Sequence, residues 1–219
     1  MTKEAQKDDE AFNGIAEEKG ISILSVTRKE LDEISGGGVH QGVVAVTEPF
    51  KMETIGDILE KVDGEDSSAV LLLDGITDPQ NLGSILRSAE IFGVSGVVIP
   101  KARTAALSPA VWKSSAGAIG HMLIAKANLI DAANRLKKNG FWLIGAEGAD
   151  GEDINGFEWP KKSAIVLGSE GSGLTRLVKN ECDFLVSIPM VGKIASLNVS
   201  VSGGIILHDY LQKTGEAKK

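Results

Sequence analysis

From Ser68 onward, short apolar runs alternate with amphipathic segments along the chain. The runs are β-branched or leucine-rich and are bounded by Gly or Pro, which is typical of buried strands. The segments between them repeat apolar positions every three or four residues and predict helices. The predicted strands are Ala69–Leu73, Gly96–Ile99, Met122–Ala127, Phe141–Gly145, Ala164–Leu167 and Phe184–Ile188. The predicted helices are Leu82–Phe92, one within Pro109–Ile119, Ile130–Asn139 and Ile205–Leu211. This alternation predicts an α/β fold whose mostly parallel sheet carries helices on both faces.

The first third of the chain has a weaker pattern. Helices are predicted at residues 8–20 and 27–34, and strands at 21–26 and 40–46. Thr27 and Glu30 have the spacing of a capping box at the start of the second helix. The apolar surface here is too small for a complete domain. We therefore predict a partial small α/β domain over residues 1–48, a linker over 49–67 that includes a helix at Ile55–Val62, and a main domain over 68–219.

The charge is unevenly distributed. Residues 1–66 hold 7 of the 23 Lys/Arg and 16 of the 30 Asp/Glu, a balance of −9 that leaves +2 for residues 67–219 and −7 overall. The larger part of the chain thus permits an anionic substrate, which the total charge at first disfavours. With one cysteine, Cys182, there is no internal disulfide, and a reducing compartment is expected. Three separate histidines predict no metal site, and no apolar run is long enough for a membrane span. We expect a cytoplasmic protein.

Two loops rich in small residues follow the last two predicted strands. Residues 168–173 read Gly-Ser-Glu-Gly-Ser-Gly, and residues 189–196 include Pro, Gly and Ser. Loops at the carboxyl ends of neighbouring parallel strands form the ligand crevice of open α/β sheets. We expect these loops to hold a small molecule and to present Glu170, Ser196 and Asn198 to it. The alternatives are a plain tight turn for the first loop and a serine-rich helix start for the second.

A third candidate segment, residues 74–89, follows the strand Ala69–Leu73 and begins a helix near Asn81. A helix amino end offers free N–H groups and partial positive charge to an anion. Arg87 falls on a flank of the apolar face of this helix. It could contact an anionic substrate, or it could only pair with a surface carboxylate.

These three segments resemble the signature motifs of the SpoU/TrmH family of RNA 2′-O-methyltransferases, in the SPOUT superfamily. The resemblance covers roughly residues 68–212 and rests on DPQNLGSILRSAEIFGV, IVLGSEGSGL and IPMVGKIASLNVSVSGGI. Residues 10–48, with VHQGVVAV, resemble the end of the substrate-binding domain in the RlmB-like 23S rRNA guanosine 2′-O-methyltransferases. That domain has a further strand and helix ahead of the segment equivalent to Asp8, so residues 1–48 are expected to be a truncated version of it.

The resemblance implies a C-terminal trefoil knot that binds S-adenosylmethionine, a homodimer with its site near the subunit interface, and no metal. Arg87 would lie nearest the reaction, where it contacts the target phosphate or hydroxyl. The other catalytic residues, which position the ribose, Arg87 and the methionine portion, would be Asn81, Glu170, Ser196 and Asn198. The cofactor would lie against the backbone of Gly145, Gly168, Ile188 and Leu197, with Ala146, Leu167 and Met190 alongside.

The expected activity is therefore methylation of a ribose 2′-hydroxyl in RNA, and a guanosine of 23S rRNA is the expected target. Two alternatives stay open. One is a tRNA ribose 2′-O-methyltransferase, although the minimal tRNA enzymes lack the first domain. The other is a non-catalytic RNA-binding or ribosome assembly factor with the same fold.

Overall fold

The computed structural model describes residues 1–2, 10–148, 151–194 and 196–215. Its contacts divide the chain into two compact units, Met1–Pro49 and Phe50–Lys219. No helix in these described ranges is long and apolar enough to cross a membrane.

The second unit is built on a seven-stranded parallel sheet with the order β3-β2-β1-β6-β4-β7-β5. The alternation of strands and helices predicted this architecture, and the structure confirms the α/β fold. The strands are β1 Ser68–Asp74, β2 Gly96–Pro100, β3 Ile124–Ala127, β4 Trp142–Ala146, β5 Glu152–Asp153, β6 Lys162–Gly168 and β7 Phe184–Ser187. Because all strands are parallel, their carboxyl ends lie at one edge of the sheet.

Helices cover both faces of this sheet, as predicted. One face packs against α4 Pro79–Ile91, α5 Pro109–Ser114 and α8 Val199–Thr214, and a 3₁₀ helix, Ala118–His121, adds to this side. The other face packs against α3 Ile55–Lys61, α6 Leu129–Lys138 and α7 Arg176–Glu181. An apolar core thus lies on each face of the sheet, and the interior strand β1 is buried along its whole length.

The two strands that precede the candidate loops, β6 and β7, were predicted to be neighbours in the sheet, and this prediction was wrong. Strand β4 lies between β6 and β7 and is paired with both. Sheet order depends on long-range packing, and the apolar pattern of a strand carries no information on it. The loops after β6 and β7 still meet, since all the strands end at the same edge.

The C-terminal helix begins six residues earlier than predicted. The helix α8 starts at Val199, and the side chain of Asn198 accepts hydrogen bonds from the N–H groups of Ser200 at 3.0 Å and Val201 at 3.4 Å. This N-cap explains the mixed signal, because the Asn and Ser residues of the segment serve a helix start. The trefoil knot stays a prediction.

The first unit contains the helices α1 Glu10–Glu18 and α2 Arg28–Ile34, and residues 8–9 of the first predicted helix lie outside the described residues. The capping box is confirmed, because Thr27 N–H donates to Glu30 Oε2 at 2.7 Å and Glu30 N–H to Thr27 Oγ1 at 3.3 Å. The strands predicted at 21–26 and 40–46 are wrong, since neither range pairs as a strand and residues 41–42 form a turn. Val26 N–H donates to Met1 O, and Thr2 N–H to Gly42 O.

Residues 50–67, most of the predicted linker, belong to the second compact unit. Ile55, Ile58 and Val62 are buried in the core beneath α3. The contact with β2 is close, because a Cβ on Gly96 would lie 2.7 Å from Ile58. This segment is therefore an integral part of the α/β unit.

Candidate active site

The loop after β6 turns back sharply on its own strand. Ser169 and Gly173 exchange two backbone hydrogen bonds of 3.0 Å, and Gly171 and Gly173 have φ angles of 91° and 64°. A Cβ on Gly168 would lie 2.2 Å from the carbonyl carbon of Gly173, so only glycine fits there. The loop ends at a fixed point, since Thr175 N–H donates to the buried carboxylate of Asp74 at 2.7 Å. This fold brings Glu170 to the carboxyl edge of the sheet.

Three residues predicted for the site form a closed set of hydrogen bonds, which we call the polar ring: Asn81, Glu170 and Asn198. Asn81 Nδ2 donates to Glu170 Oε2 at 3.2 Å. Asn198 Nδ2 donates to Glu170 Oε1 at 3.0 Å and to Asn81 Oδ1 at 2.8 Å. The ring joins residues from three separate segments of the chain and fixes the Glu170 carboxylate with two amide donors.

The helices that carry the ring are themselves anchored near it. Asp78 caps α4 by accepting from the N–H of Asn81 at 2.8 Å. On α8, a Cβ on Gly203 would lie 2.7 Å from Leu167, so this helix packs closely on β6. Each asparagine thus takes part in a helix cap as well as in the hydrogen bond between their side chains.

Beside the ring lies a cavity of about 530 Å³ at the carboxyl ends of β4, β6 and β7. Glu170 belongs to both the ring and the cavity wall, and Ser196 lies on the wall as well. Six of the seven residues predicted to hold a cofactor line this cavity, namely Ala146, Leu167, Gly168, Ile188, Met190 and Leu197. The volume is in the range of small-molecule sites, which is about 300–1,000 Å³.

Two predicted site residues lie elsewhere. Gly145 is outside the cavity wall, because a Cβ on it would meet Leu174 at 2.6 Å and Cys182 at 2.8 Å in the opposite core. Side chains alternate along a strand, so its neighbour Ala146 faces the cavity instead. Arg87 is exposed and is about 9 Å further along α4 than Asn81, as the helical rise requires. In the described part of the chain it makes no ion pair, and the surface-carboxylate alternative is not observed.

Glu147, a second carboxylate on the cavity wall, was not predicted from the sequence. Glu147 follows β4 directly, and its Oε2 lies 3.4 Å from Lys179 Nζ. The available signal was its position at the carboxyl end of a predicted strand, where ligand-binding residues concentrate. Asp74, the last residue of β1, was not singled out within the candidate segment 74–89 either.

The thiol of Cys182 is a structural group, and the described residues form no metal site. Burial raises the pKa of the Cys182 thiol to about 12, and its Sγ donates to Val178 O at 3.3 Å. Among the described residues, no group of three or more His, Cys, Asp or Glu is placed to hold a metal ion.

Comparison with known proteins connects this site to a family. The family model of the SpoU rRNA Methylase family matches residues 68–208. A second family model, RNA 2′-O ribose methyltransferase substrate binding, matches residues 1–53. A Staphylococcus aureus protein named as a TrmH family tRNA/rRNA methyltransferase is 42% identical over 200 residues, which are 90% of this chain and 80% of that protein.

Solved structures agree with these matches. An RNA methyltransferase of the TrmH family from Porphyromonas gingivalis is 32% identical with a TM-score of 0.61, over 66% of this chain and 59% of that one. The SpoU methyltransferase AviRb from Streptomyces viridochromogenes, in complex with the cofactor AdoMet, is 26% identical with a TM-score of 0.64, over 72% and 63%. This chain thus spans less than two thirds of either solved chain. It belongs to the SpoU/TrmH family of S-adenosylmethionine-dependent RNA methyltransferases.

Proposed function

We propose that this protein transfers a methyl group from S-adenosylmethionine to a ribose 2′-hydroxyl of RNA, at a guanosine of 23S rRNA, in the cytoplasm. The observation that carries the proposal is the polar ring at the border of the cavity. The ring gathers one residue from each of the three segments that resemble the family motifs. A resemblance in one motif alone would not require residues of three separate segments to meet.

The residues of the cavity fit S-adenosylmethionine chemically. Leu167, Ile188 and Leu197 supply apolar wall for an adenine ring, and Glu147 and Glu170 supply two carboxylates. Carboxylates favour a ligand that carries positive charge, and the methyl donor carries it on sulfur and on its amino group. AviRb, which has AdoMet bound, supports the same assignment.

When bound, S-adenosylmethionine supplies an electrophilic methyl group on a sulfonium. Asn81 and Asn198 hold the Glu170 carboxylate in one orientation toward the cavity, where it stabilises positive charge. Such fixed orientation matters because in-line alignment of the reacting atoms supplies much of the rate enhancement of a bimolecular transfer. We propose that Ser196, on the cavity wall, positions the target ribose.

The 2′-hydroxyl must lose its proton as its oxygen takes the methyl group. Arg87 is an unsuitable base because its pKa exceeds about 12. We propose that its guanidinium binds the phosphate next to the target ribose and favours proton loss by electrostatic attraction.

We further propose that the protein is a homodimer with its site near the subunit interface. Large apolar side chains are exposed close to the cavity, including Val191 at 106%, Ile194 at 80% and Val201 at 50% relative exposure. Apolar surface of this kind favours burial against another subunit. A dimer also gives the exposed Arg87, which lies outside the polar ring of its own chain, a route to a site in either subunit.

The choice of 23S rRNA rests on the resemblance of the first unit to the substrate-binding domain. The tRNA alternative is kept, because the Staphylococcus relative is named for both tRNA and rRNA. Mapping of 2′-O-methyl groups in rRNA and tRNA from cells lacking the protein separates the two. A missing methyl group in 23S rRNA is expected, and loss only from tRNA would contradict the rRNA assignment.

Arg87→Ala tests the catalytic assignment. We expect kcat for methyl transfer to fall by about 100-fold or more, as for loss of one charge-stabilising donor, while the Kd for S-adenosylmethionine measured by calorimetry stays the same. Arg135→Ala, at an exposed arginine on α6, is the matched control and should keep the wild-type rate. If Arg87→Ala transfers methyl groups at the wild-type rate, the catalytic role of Arg87 is wrong.

A further inference from the structure

A second cavity, which we call the flanking cavity, lies at the carboxyl ends of β2 and β3. Its volume is about 340 Å³. Phe50, Met52 and Leu107 provide apolar wall, and Lys101 and Lys126 provide charge. An apolar wall beside cationic groups suits a nucleotide, because the base needs an apolar or aromatic surface and the phosphate needs a cation.

The charge at this cavity is positive. Lys101 and Lys126 are exposed, and Arg103, also exposed, lies between Lys101 and the buried Ala105. Neither lysine nor Arg103 has an ion-pair partner in the described part of the chain. The nearby Lys51 pairs with Glu53 at 3.3 Å. The cations of the cavity are therefore available to a phosphate.

Thr104 gives a second and independent sign of a ligand. It lines the flanking cavity, and its Oγ1 is buried without a hydrogen-bond partner among the described residues. Buried side-chain polar atoms in native structures are mostly hydrogen-bonded, so an exception needs a reason. A hydroxyl that donates to a ligand oxygen would supply it.

The position of the cavity relates it to the candidate active site. Both cavities open at the carboxyl edge of the sheet, and β2 lies two strands from β6, which is about 10 Å. The loop of Thr104 is tied to the segment that precedes α4, because Ala105 N–H donates to Ile76 O at 2.8 Å. Asp78 and Asn81 follow directly in that segment. A strand of RNA with one nucleotide at the polar ring could place another in the flanking cavity.

We propose that the flanking cavity binds an RNA nucleotide outside the methylated one, with its base on Phe50, Met52 and Leu107 and a phosphate on Lys101 and Lys126. The proposal rests on the proposed function, since it places this nucleotide relative to the methylated ribose. It gives the α/β unit RNA contacts of its own, separate from those of the first unit.

The test compares the double variant K101A/K126A with the wild type. Binding of a labelled single-stranded RNA of mixed sequence is followed by fluorescence anisotropy at several salt concentrations. We expect the Kd to rise about tenfold, because two exposed charge pairs add up to about a decade of affinity. The slope of log K against log salt should fall by about 0.7 for each lost phosphate contact. S-adenosylmethionine binding should not change.

K138A/K161A is the matched control, because it removes the same charge at two exposed lysines near the opposite edge of the sheet. If both double variants weaken RNA binding equally, the proposal that the flanking cavity binds a nucleotide is wrong. A wild type that binds RNA but neither binds S-adenosylmethionine nor transfers methyl groups would instead contradict the proposed function.

Thr104→Val gives a second readout that a purely structural role would not produce. Removal of an unpartnered buried hydroxyl should raise the urea midpoint of unfolding. Loss of its bond to the nucleotide should at the same time weaken RNA binding. A variant that is more stable and binds RNA as well as the wild type would overturn the role of Thr104.

Discussion

Asn198 both closes the polar ring and caps α8, and Asn198→Asp separates these two roles. Aspartate caps a helix as well as asparagine does, but it cannot donate the bonds to Asn81 and Glu170. The bond to a neutral amide is worth about 1 kcal/mol and the bond to a carboxylate about 1.5–3 kcal/mol. The new carboxylate would also repel Glu170. Since Glu170 is exposed, solvent screens part of this loss. We expect the free energy of unfolding to fall by about 2–3 kcal/mol.

The assay is urea denaturation followed by circular dichroism, together with calorimetry of S-adenosylmethionine binding. Asn128→Asp is the control, because Asn128 caps α6 with the same acceptor geometry, to Ile130 N at 2.9 Å and Asp131 N at 3.2 Å. It should lose much less stability than Asn198→Asp, and it should keep cofactor affinity. If Asn198→Asp is as stable as the wild type and binds the cofactor equally well, the polar ring does not hold the site together.

Two further changes test the loop after β6 and the buried thiol. Gly168→Ala should lower the free energy of unfolding by about 3 kcal/mol and abolish cofactor binding in calorimetry, because its Cβ would collide with Gly173. The control Gly171→Ala, with φ +91° but open space around its Cβ, should lower it by only about 1 kcal/mol. Equal losses of stability in the two variants would contradict the collision. Cys182, whose pKa burial raises to about 12, should react with iodoacetamide at pH 8 far more slowly in the native than in the urea-unfolded protein. Equal rates would contradict its burial.

Most of the α/β unit could be predicted from the sequence because its signals are local. Apolar runs and helical periodicity depend on neighbouring residues, and they located the main strands and helices of the sheet. The order of β6, β4 and β7 depends on contacts between distant segments, which no local pattern specifies. The strands predicted at 21–26 and 40–46 are absent for a related reason, because strand pairing depends on a partner elsewhere in the chain. Among the described residues, Val26 N–H donates to Met1 O and Thr2 N–H donates to Gly42 O.

The site residues that could be predicted from the sequence are those that stand in a recognisable motif. Asn81, Glu170 and Asn198, one from each motif, are hydrogen-bonded to one another. It was harder to predict which residues of a strand face the cavity: Ala146 lines it, whereas a Cβ on Gly145 would lie in the opposite core. Glu147 was missed because a single carboxylate after a strand has no distinctive pattern around it.

Transfer of an isotopically labelled methyl group to RNA is the decisive test of the proposed activity. The purified protein is incubated with labelled S-adenosylmethionine and with unmodified 23S rRNA or tRNA, and the digested nucleosides are identified by mass spectrometry. We expect label on the ribose 2′-oxygen of a guanosine in 23S rRNA, and labelling about 100-fold slower with Arg87→Ala. Label on a base, or no transfer to either RNA by a protein that binds S-adenosylmethionine, would contradict the proposed activity.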